Sequence, residues 1–303
     1  FSKLDFSAKV FSWHDKDGYE NAFREASNEI GDINRLGVEG QRIRFFETQA
    51  LSKNFSRITL VNLHKEISSI RLNKDQEEVN YLKKAISISE ISLENTLKFI
   101  KIGMSELEVK QFLIQQLYIN GAEGLSFDPI VLGAENSALP HGHSSEKNKL
   151  QKGDTILFDF GGTYKGFNAD ITRTFFLGEI NELQKNVYEN VLKANLVGIK
   201  NSITSNSMHE VDDLTTRVLE NGDYRNFIVH KTGHGLGLDL HEDPYVVRGN
   251  HSKLEKGMII TVEPGLYIPN KFGIRIEDNV LITDNLPDVL TSFSKEIRII
   301  KND

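Results

Sequence analysis

From Lys74 to Ile100 the apolar positions Val79, Leu82, Ile86, Leu93, Leu97 and Ile100 recur at steps of three, four and seven. That is the spacing of one face of an α-helix, and it predicts a long amphipathic helix over 74–100. A second helix is predicted from Ser105, where Glu108 completes a capping box, to a stop near Asn120-Gly121. Two more fit 181–201 and 208–220, the latter opened by the box Ser207/Glu210. Between and after them, the pattern changes to strands. TILFDF (155–160) and ADITRTFFL (169–177) flank the turn-rich GGTYKGFN and predict a two-stranded antiparallel ribbon. MIITVEPGLYI (258–268) and FGIRIEDNVLIT (272–283) predict a second pair. Residues before about 72 mix charged turns with short apolar runs such as ITLVNL (58–63) and carry no identifiable chemistry. The domain boundary is therefore expected just before the long helix, giving 1–72 and 73–303.

Composition narrows what such a chain can do. Its 303 residues, 39% hydrophobic, suffice for a large core in one or two domains. Net charge is −7 with no Lys/Arg-rich tract, which argues against nucleic acid as a ligand. The absence of cysteine excludes disulfides, thiolate metal sites and cysteine nucleophiles. No apolar run approaches the ~18 residues of a membrane span, so no membrane partner is expected. The chain begins at Phe1 with no basic-then-apolar signal stretch. That reads as a fragment or as a start lost to processing, with the cytoplasm as the expected location. GHGLG (233–237) lacks the glycine spacing and the strand-to-helix context of a dinucleotide loop.

The candidate chemistry lies in acids placed on apolar strands. Asp159, Asp170, Glu263 and Glu277, with His234, make four carboxylates and one imidazole. Carboxylates are hard donors able to bridge two divalent cations, and two cations ~3.5 Å apart can hold and activate one water. So acidic a set is costly to gather unless cations neutralise it, which points to a two-metal hydrolase. Each acid also has a plainer reading. Asp159 and Asp170 also fit as turn-flanking aspartates that accept backbone N–H bonds. Glu277 and Arg275, two apart on one strand face, also fit as a salt bridge. Histidines cluster in ALPHGHSS (138–145), with His141 and His143, and in VHKTGHGLGLDLHEDP (229–244), with His230, His234 and His241. Histidines not needed as ligands could donate hydrogen bonds to a substrate carbonyl or to the anionic intermediate.

The order Asp, Asp, His, Glu, Glu, carried by FDFGGTYKGFNADITRTF, HKTGHGLGLDLHEDP, TVEPGLYI and GIRIEDNVLIT, closely resembles the pita-bread metallopeptidases. These include Xaa-Pro aminopeptidase, Xaa-Pro dipeptidase (prolidase) and methionine aminopeptidase. The resemblance covers about 74–300. It implies an α+β fold, with a pita-bread (creatinase/aminopeptidase-like) catalytic domain of two pseudo-symmetric halves, helices outside a curved antiparallel sheet. It implies that Asp159 chelates one cation, that Asp170 and Glu277 bridge both, and that His234 and Glu263 hold the second. Glu263 would also shuttle the proton of the attacking water. His230 and His241 would stabilise the oxyanion and orient the substrate, His141 would lie beside them, and Arg275 would support the bridging carboxylates.

DITRTF, TVEPGLYI and GIRIEDN resemble the Xaa-Pro branch most. The implied activity is hydrolysis of the bond between an N-terminal residue and proline, in peptides or dipeptides. The implied cofactors are two divalent ions, with Mn²⁺ first and Co²⁺ or Zn²⁺ able to occupy the site, and the implied assembly is a homodimer. Members of this branch carry a larger N-terminal domain, so a small, truncated α/β domain is expected before residue 73. A methionine aminopeptidase, and a non-catalytic peptide- or protein-binding module on the same fold, stay open as alternatives.

Overall fold

The computed structural model describes residues 7–55, 57–222 and 224–301. The chain forms two compact units, Phe1–Ile70 and Arg71–Asp303. The first contains α1 (Glu20–Ile30), β1 (Arg35–Val38), α2 (Phe45–Asn54) and β2 (Thr59–Asn62), and α3 (His64–Leu72) starts within it. β1 and β2 pair in parallel, so α2 is a crossover connection and this unit has α/β character.

The second unit opens with α4 (Gln76–Phe99) and α5 (Glu106–Ile119), followed by β3 (Gly124–Leu125), β4 (Ile130–Gly133), β5 (Thr155–Phe160), β6 (Gly162–Tyr164), β7 (Phe167–Asn168) and β8 (Ile171–Leu177). It continues with α6 (Glu182–Asn201) and α7 (Met208–Glu220), then β9 (Gly233–Gly235), β10 (Glu242–Val246), β11 (Ile259–Val262), β12 (Gly265–Ile268), β13 (Phe272–Arg275), β14 (Asp278–Leu281), β15 (Asp288–Val289) and β16 (Ile299–Ile300). Each of the four helices begins in a capping box. Both expected boxes form, and Asp75 and Asn181 supply the other two. The six apolar positions counted along α4 are all buried. They pack with α5 against β4, β5 and β8 in one core, while α6 and α7 cover the later strands in two further cores. Among the described residues no helix is long and apolar enough to cross a membrane.

One order of elements occurs twice: a helix pair, then an antiparallel strand pair that encloses a second antiparallel pair. β5 and β8 run together from Thr155↔Phe176 to Phe160↔Ile171, and the glycine-rich turn between them is itself the hairpin β6–β7. The pair expected over 258–268 and 272–283 forms in two pieces. β11 pairs β14 inside a five-stranded sheet, and β12 pairs β13 separately. The interruptions have physical causes. Pro264 has no N–H to give a ladder. At the breaks the backbone bonds elsewhere: Glu263 N–H donates to Thr232 O (2.8 Å) and Glu277 N–H to Thr172 O (3.1 Å). In the first half, the break before β8 falls at Asp170, whose N–H donates to Asn279 Oδ1 (3.4 Å) and whose carbonyl accepts from Asn279 Nδ2 (2.5 Å). Three of the candidate acids thus sit where a strand leaves its ladder, which re-aims their side chains.

Candidate metal centre

His234 is the middle residue of β9, wedged between β10 and β11. Its flanking glycines allow that approach. A Cβ on Gly233 would lie 1.9 Å from Thr261 O, and one on Gly235 would lie 2.2 Å from Asp243 O. The His234 Nδ1 faces the Gly235 carbonyl at 2.9 Å. A carbonyl only accepts, so Nδ1 carries the proton and Nε2 presents a lone pair. Nε2 points at Asp170 Oδ2 and Glu263 Oε1, 3.5 Å from each. Burial pushes the ring's pKa down to about 3, so it is neutral at pH 7 and suited to ligation.

One ligand atom each from Asp170, His234 and Glu277 lie within 4.8 Å of one another, and all three residues are buried. Asp159 and Glu263 border the same cavity, which has a volume of about 190 Å³. Burial first, then the charges of Glu277 and Asp159, pushes the Asp170 carboxyl well above its usual range. Burial, with Glu263 and Asp159 next, does the same to Glu277. Burial raises Glu263 to about 7 against the pull of Arg275. Asp159 Oδ1 is buried and has no hydrogen-bond partner. Four acids that repel one another, a bare imidazole nitrogen and an orphaned carboxylate oxygen are a donor set that fits divalent cations.

Arg275 does not pair with its strand neighbour Glu277, as one reading of the sequence had it. Its Nη2 forms an ion pair with Asp159, its Nε donates to Thr172 Oγ1 (3.0 Å), and its Nη1 donates to Tyr267 OH (2.5 Å). Thr172 in turn donates to Glu277 Oε2 (2.7 Å), so the hydrogen-bonded path from Arg275 to that acid runs through the threonine. Burial keeps the Tyr267 hydroxyl protonated, its pKa pushed up to about 12, and it sits 2.8 Å from His230 Nε2. His230 Nδ1 faces the Lys231 carbonyl at 2.8 Å and so carries the proton. Burial, with Arg275's charge second, lowers this ring to about 4, which leaves it neutral. Both of its nitrogens are therefore engaged. His241 lies against His234, ring centroids 4.4 Å apart, and is exposed at the cavity. His141 also lines the cavity, and His143 does not.

The nine residues picked from the sequence, Asp159, Asp170, His234, Glu263, Glu277, His141, His230, His241 and Arg275, all border this one cavity. Several groups that build it were not foreseen. Tyr267 and Thr172 relay Arg275, and Thr261 donates to Glu263 Oε1 at 3.4 Å. Arg173 binds the Glu277 carbonyl (2.6 Å) and forms a fully buried pair with Asp278 (2.7 Å), fixing the strand break beside Glu277. Phe127, Ile130 and Leu240 supply the apolar part of the wall. The one signal available for any of them was an arginine inside the apolar run ITRTFFL.

Metallopeptidase family M24 matches this chain over residues 80–284. The chain is 34% identical to the Xaa-Pro dipeptidase of Pyrococcus furiosus over 279 residues, which cover 91% of this chain and 78% of that protein. Among solved structures, the X-Pro aminopeptidase from Thermotoga maritima matches with a TM-score of 0.88 and 32% identity, covering 99% of this chain and 84% of that one. The prolidase from Thermococcus sibiricus matches with a TM-score of 0.92 and 31% identity, covering 97% and 80%. The α+β pita-bread architecture expected from the motifs is the one these neighbours share. By the family match and these relatives, the chain belongs to metallopeptidase family M24 and is an enzyme of that class.

Proposed function

We propose that this metallopeptidase hydrolyses the bond between an N-terminal residue and proline, with two divalent cations held by Asp159, Asp170, His234, Glu263 and Glu277. The observation that carries the reading is the convergence of these five side chains on one cavity, with Asp159 Oδ1 buried and unpaired. The names of the relatives support the substrate class. When bound, the cations supply Lewis-acid activation of a water and of the scissile carbonyl, and Mn²⁺ suits so oxygen-rich a donor set. In this reading Asp170 and Glu277 would serve both ions, Asp159 would serve one, and His234 and Glu263 would serve the other. Glu263 takes up the proton of the attacking water and delivers it to the prolyl nitrogen as the C–N bond breaks. Arg275 holds Asp159 in place and, through Thr172, orients Glu277.

The two histidines then divide their work. His241, exposed to the cavity, donates to the oxyanion as it forms. His230, with both nitrogens committed, serves as a wall and as the far end of the Tyr267–Arg275–Asp159 chain. A prolyl ring has its φ already fixed, and the bond before it has no N–H. It therefore needs no acceptor there and can pack on His230, Phe127, Ile130 and Leu240. His230→Ala is expected to lower activity by about 10- to 100-fold, as loss of a group supporting the metal ligands does. It should leave metal content unchanged, and loss of bound metal in this variant would make His230 a ligand.

The electrostatics predict how cations and pH act together on stability. A buried carboxyl with a raised pKa contributes stability that is complete below the ordinary carboxylate range and is lost as pH rises through the raised value. For Glu263 in metal-free protein that loss runs through about pH 7. Cations remove the repulsion that causes it, and at low pH they must first displace protons. The rise in melting temperature on adding Mn²⁺ should therefore be larger at about pH 8 than at about pH 6. Calorimetry of metal-stripped protein at both pH values tests this, and a larger rise at the lower pH would contradict it. Elemental analysis after reloading should find two ions per chain, and a single ion would remove the bridging pair.

A further inference from the structure

The segment 237–242, which carries His241, is held by a buried ion pair that the chemistry above does not use. Lys74 Nζ lies 2.5 Å from Glu242 Oε1, and the two side chains are 3% and 9% exposed. The other oxygen of Glu242 accepts from Asp239 N–H (3.4 Å), so the carboxylate that pairs with Lys74 also ties residue 242 back to residue 239 across His241. Lys74 is itself fixed. Its N–H donates to Gly257 O (2.8 Å) and its Nζ to Leu72 O (3.3 Å). Gly237 leaves room for the pair, since a Cβ there would lie 2.7 Å from Glu242 Oε1 and 2.9 Å from Lys74 Cε. One turn of chain earlier, Arg71 Nη1 pairs with Asp239 Oδ2 at 2.6 Å. From the opposite side of the sequence, Asn168 Nδ2 donates to the carbonyls of Gly237 (2.9 Å) and Leu238 (3.0 Å).

We propose that Lys74 is a positioning residue for the reaction: its ion pair with Glu242 sets the backbone that places the His241 ring against His234 and over the cavity. The proposal rests on the reading of His241 as the oxyanion donor. Two charges withdrawn from water are tolerated only in the geometry that pairs them, because any other leaves a buried charge alone. The pair therefore selects one conformation of 237–242, and His241, adjacent to Glu242 in the chain, is placed by it. A ring that must meet a developing charge to within a fraction of an ångström needs such support. Arg71–Asp239, about one-quarter exposed on each side, is the weaker of the two ties.

A double-mutant cycle on Mn²⁺-loaded enzyme separates positioning from general stabilisation. Lys74→Met is expected to lower kcat on Ala-Pro by about 10- to 100-fold with KM changed less than about threefold and metal content unchanged. In a His241→Ala background the same substitution should cost less than about threefold, because the group it positions is gone. Hydrogen exchange should quicken at the amides of 238–242 and stay unchanged in β11. Equal losses in both backgrounds, or unchanged exchange at 238–242, would overturn the proposal while leaving His241's role intact. If His241→Ala alone stays within about threefold of the parent, the oxyanion reading falls and this proposal with it. Should Lys74→Met fail to fold, Glu242→Gln weakens the same ion pair without changing its shape, and its loss in kcat should likewise shrink to less than about threefold in His241→Ala.

Discussion

Asp170→Asn is expected to lower kcat by at least about 10³-fold and to leave the protein folded. Asp170 sits at the break before β8, buried, with one oxygen facing His234 Nε2 and with Glu277 beside it. In the proposed centre its carboxylate would serve both cations, and an amide could not do the same because its nitrogen has no lone pair to offer. The backbone of residue 170 is held by Asn279 and not by its own side chain, so the isosteric change leaves the local fold supported. Asparagine also removes a carboxyl that burial and its neighbours disfavour as a charge, so the metal-free variant should be no less stable than the parent at neutral pH. Elemental analysis, thermal unfolding and steady-state turnover of one preparation check all three statements. Two ions per chain with activity within tenfold of the parent would remove Asp170 from the bridge.

His241→Ala carries the second large effect, a fall in kcat of about 10²- to 10³-fold with metal content and KM little changed. The ring is exposed at the cavity against His234, while His230 has spent both nitrogens on Lys231 O and Tyr267 OH. Of the two histidines that the motif brings to the substrate side, His241 alone keeps a nitrogen to offer. The comparison with His230→Ala is therefore the informative one: the larger loss in kcat should belong to His241. Loss of metal in His241→Ala would make it a ligand, and an equal or smaller effect than His230→Ala would return the oxyanion to His230.

What could be read from the chain follows the range of the interactions. The helices were legible because their signals are local: a 3.6-residue apolar period, and caps whose partners lie three residues apart, as in Ser105/Glu108 and Ser207/Glu210. The strand runs were legible as apolar stretches. Their interruptions were not, because the bonds that replace the ladder at Glu263 and Glu277 go to Thr232 and Thr172, far along the chain. Pro264 lies at one break although 258–268 reads as one continuous run, and nothing in GIRIEDN marks the break after Ile276. The acids and histidines of the site could be picked by residue type and order, and the fold brings them to one cavity. Their partners could not be picked. Arg275 is two residues from Glu277 yet pairs with Asp159, and Tyr267 reads in sequence only as an apolar strand residue.

One assay tests directly for a cation-dependent peptidase that prefers proline at the second position. Metal-stripped protein is given Mn²⁺, and steady-state turnover is compared on Ala-Pro, Ala-Pro-Ala, Ala-Ala-Ala and Met-Ala-Ser. An Xaa-Ala peptide loses the ring contact and brings an N–H with no partner, a penalty of about 1–3 kcal/mol. The expected result is no turnover before Mn²⁺ and, after it, a preference of about 10- to 100-fold for one or both prolyl peptides over Ala-Ala-Ala. Turnover without added cation, or faster turnover of Met-Ala-Ser than of both prolyl peptides, would contradict it.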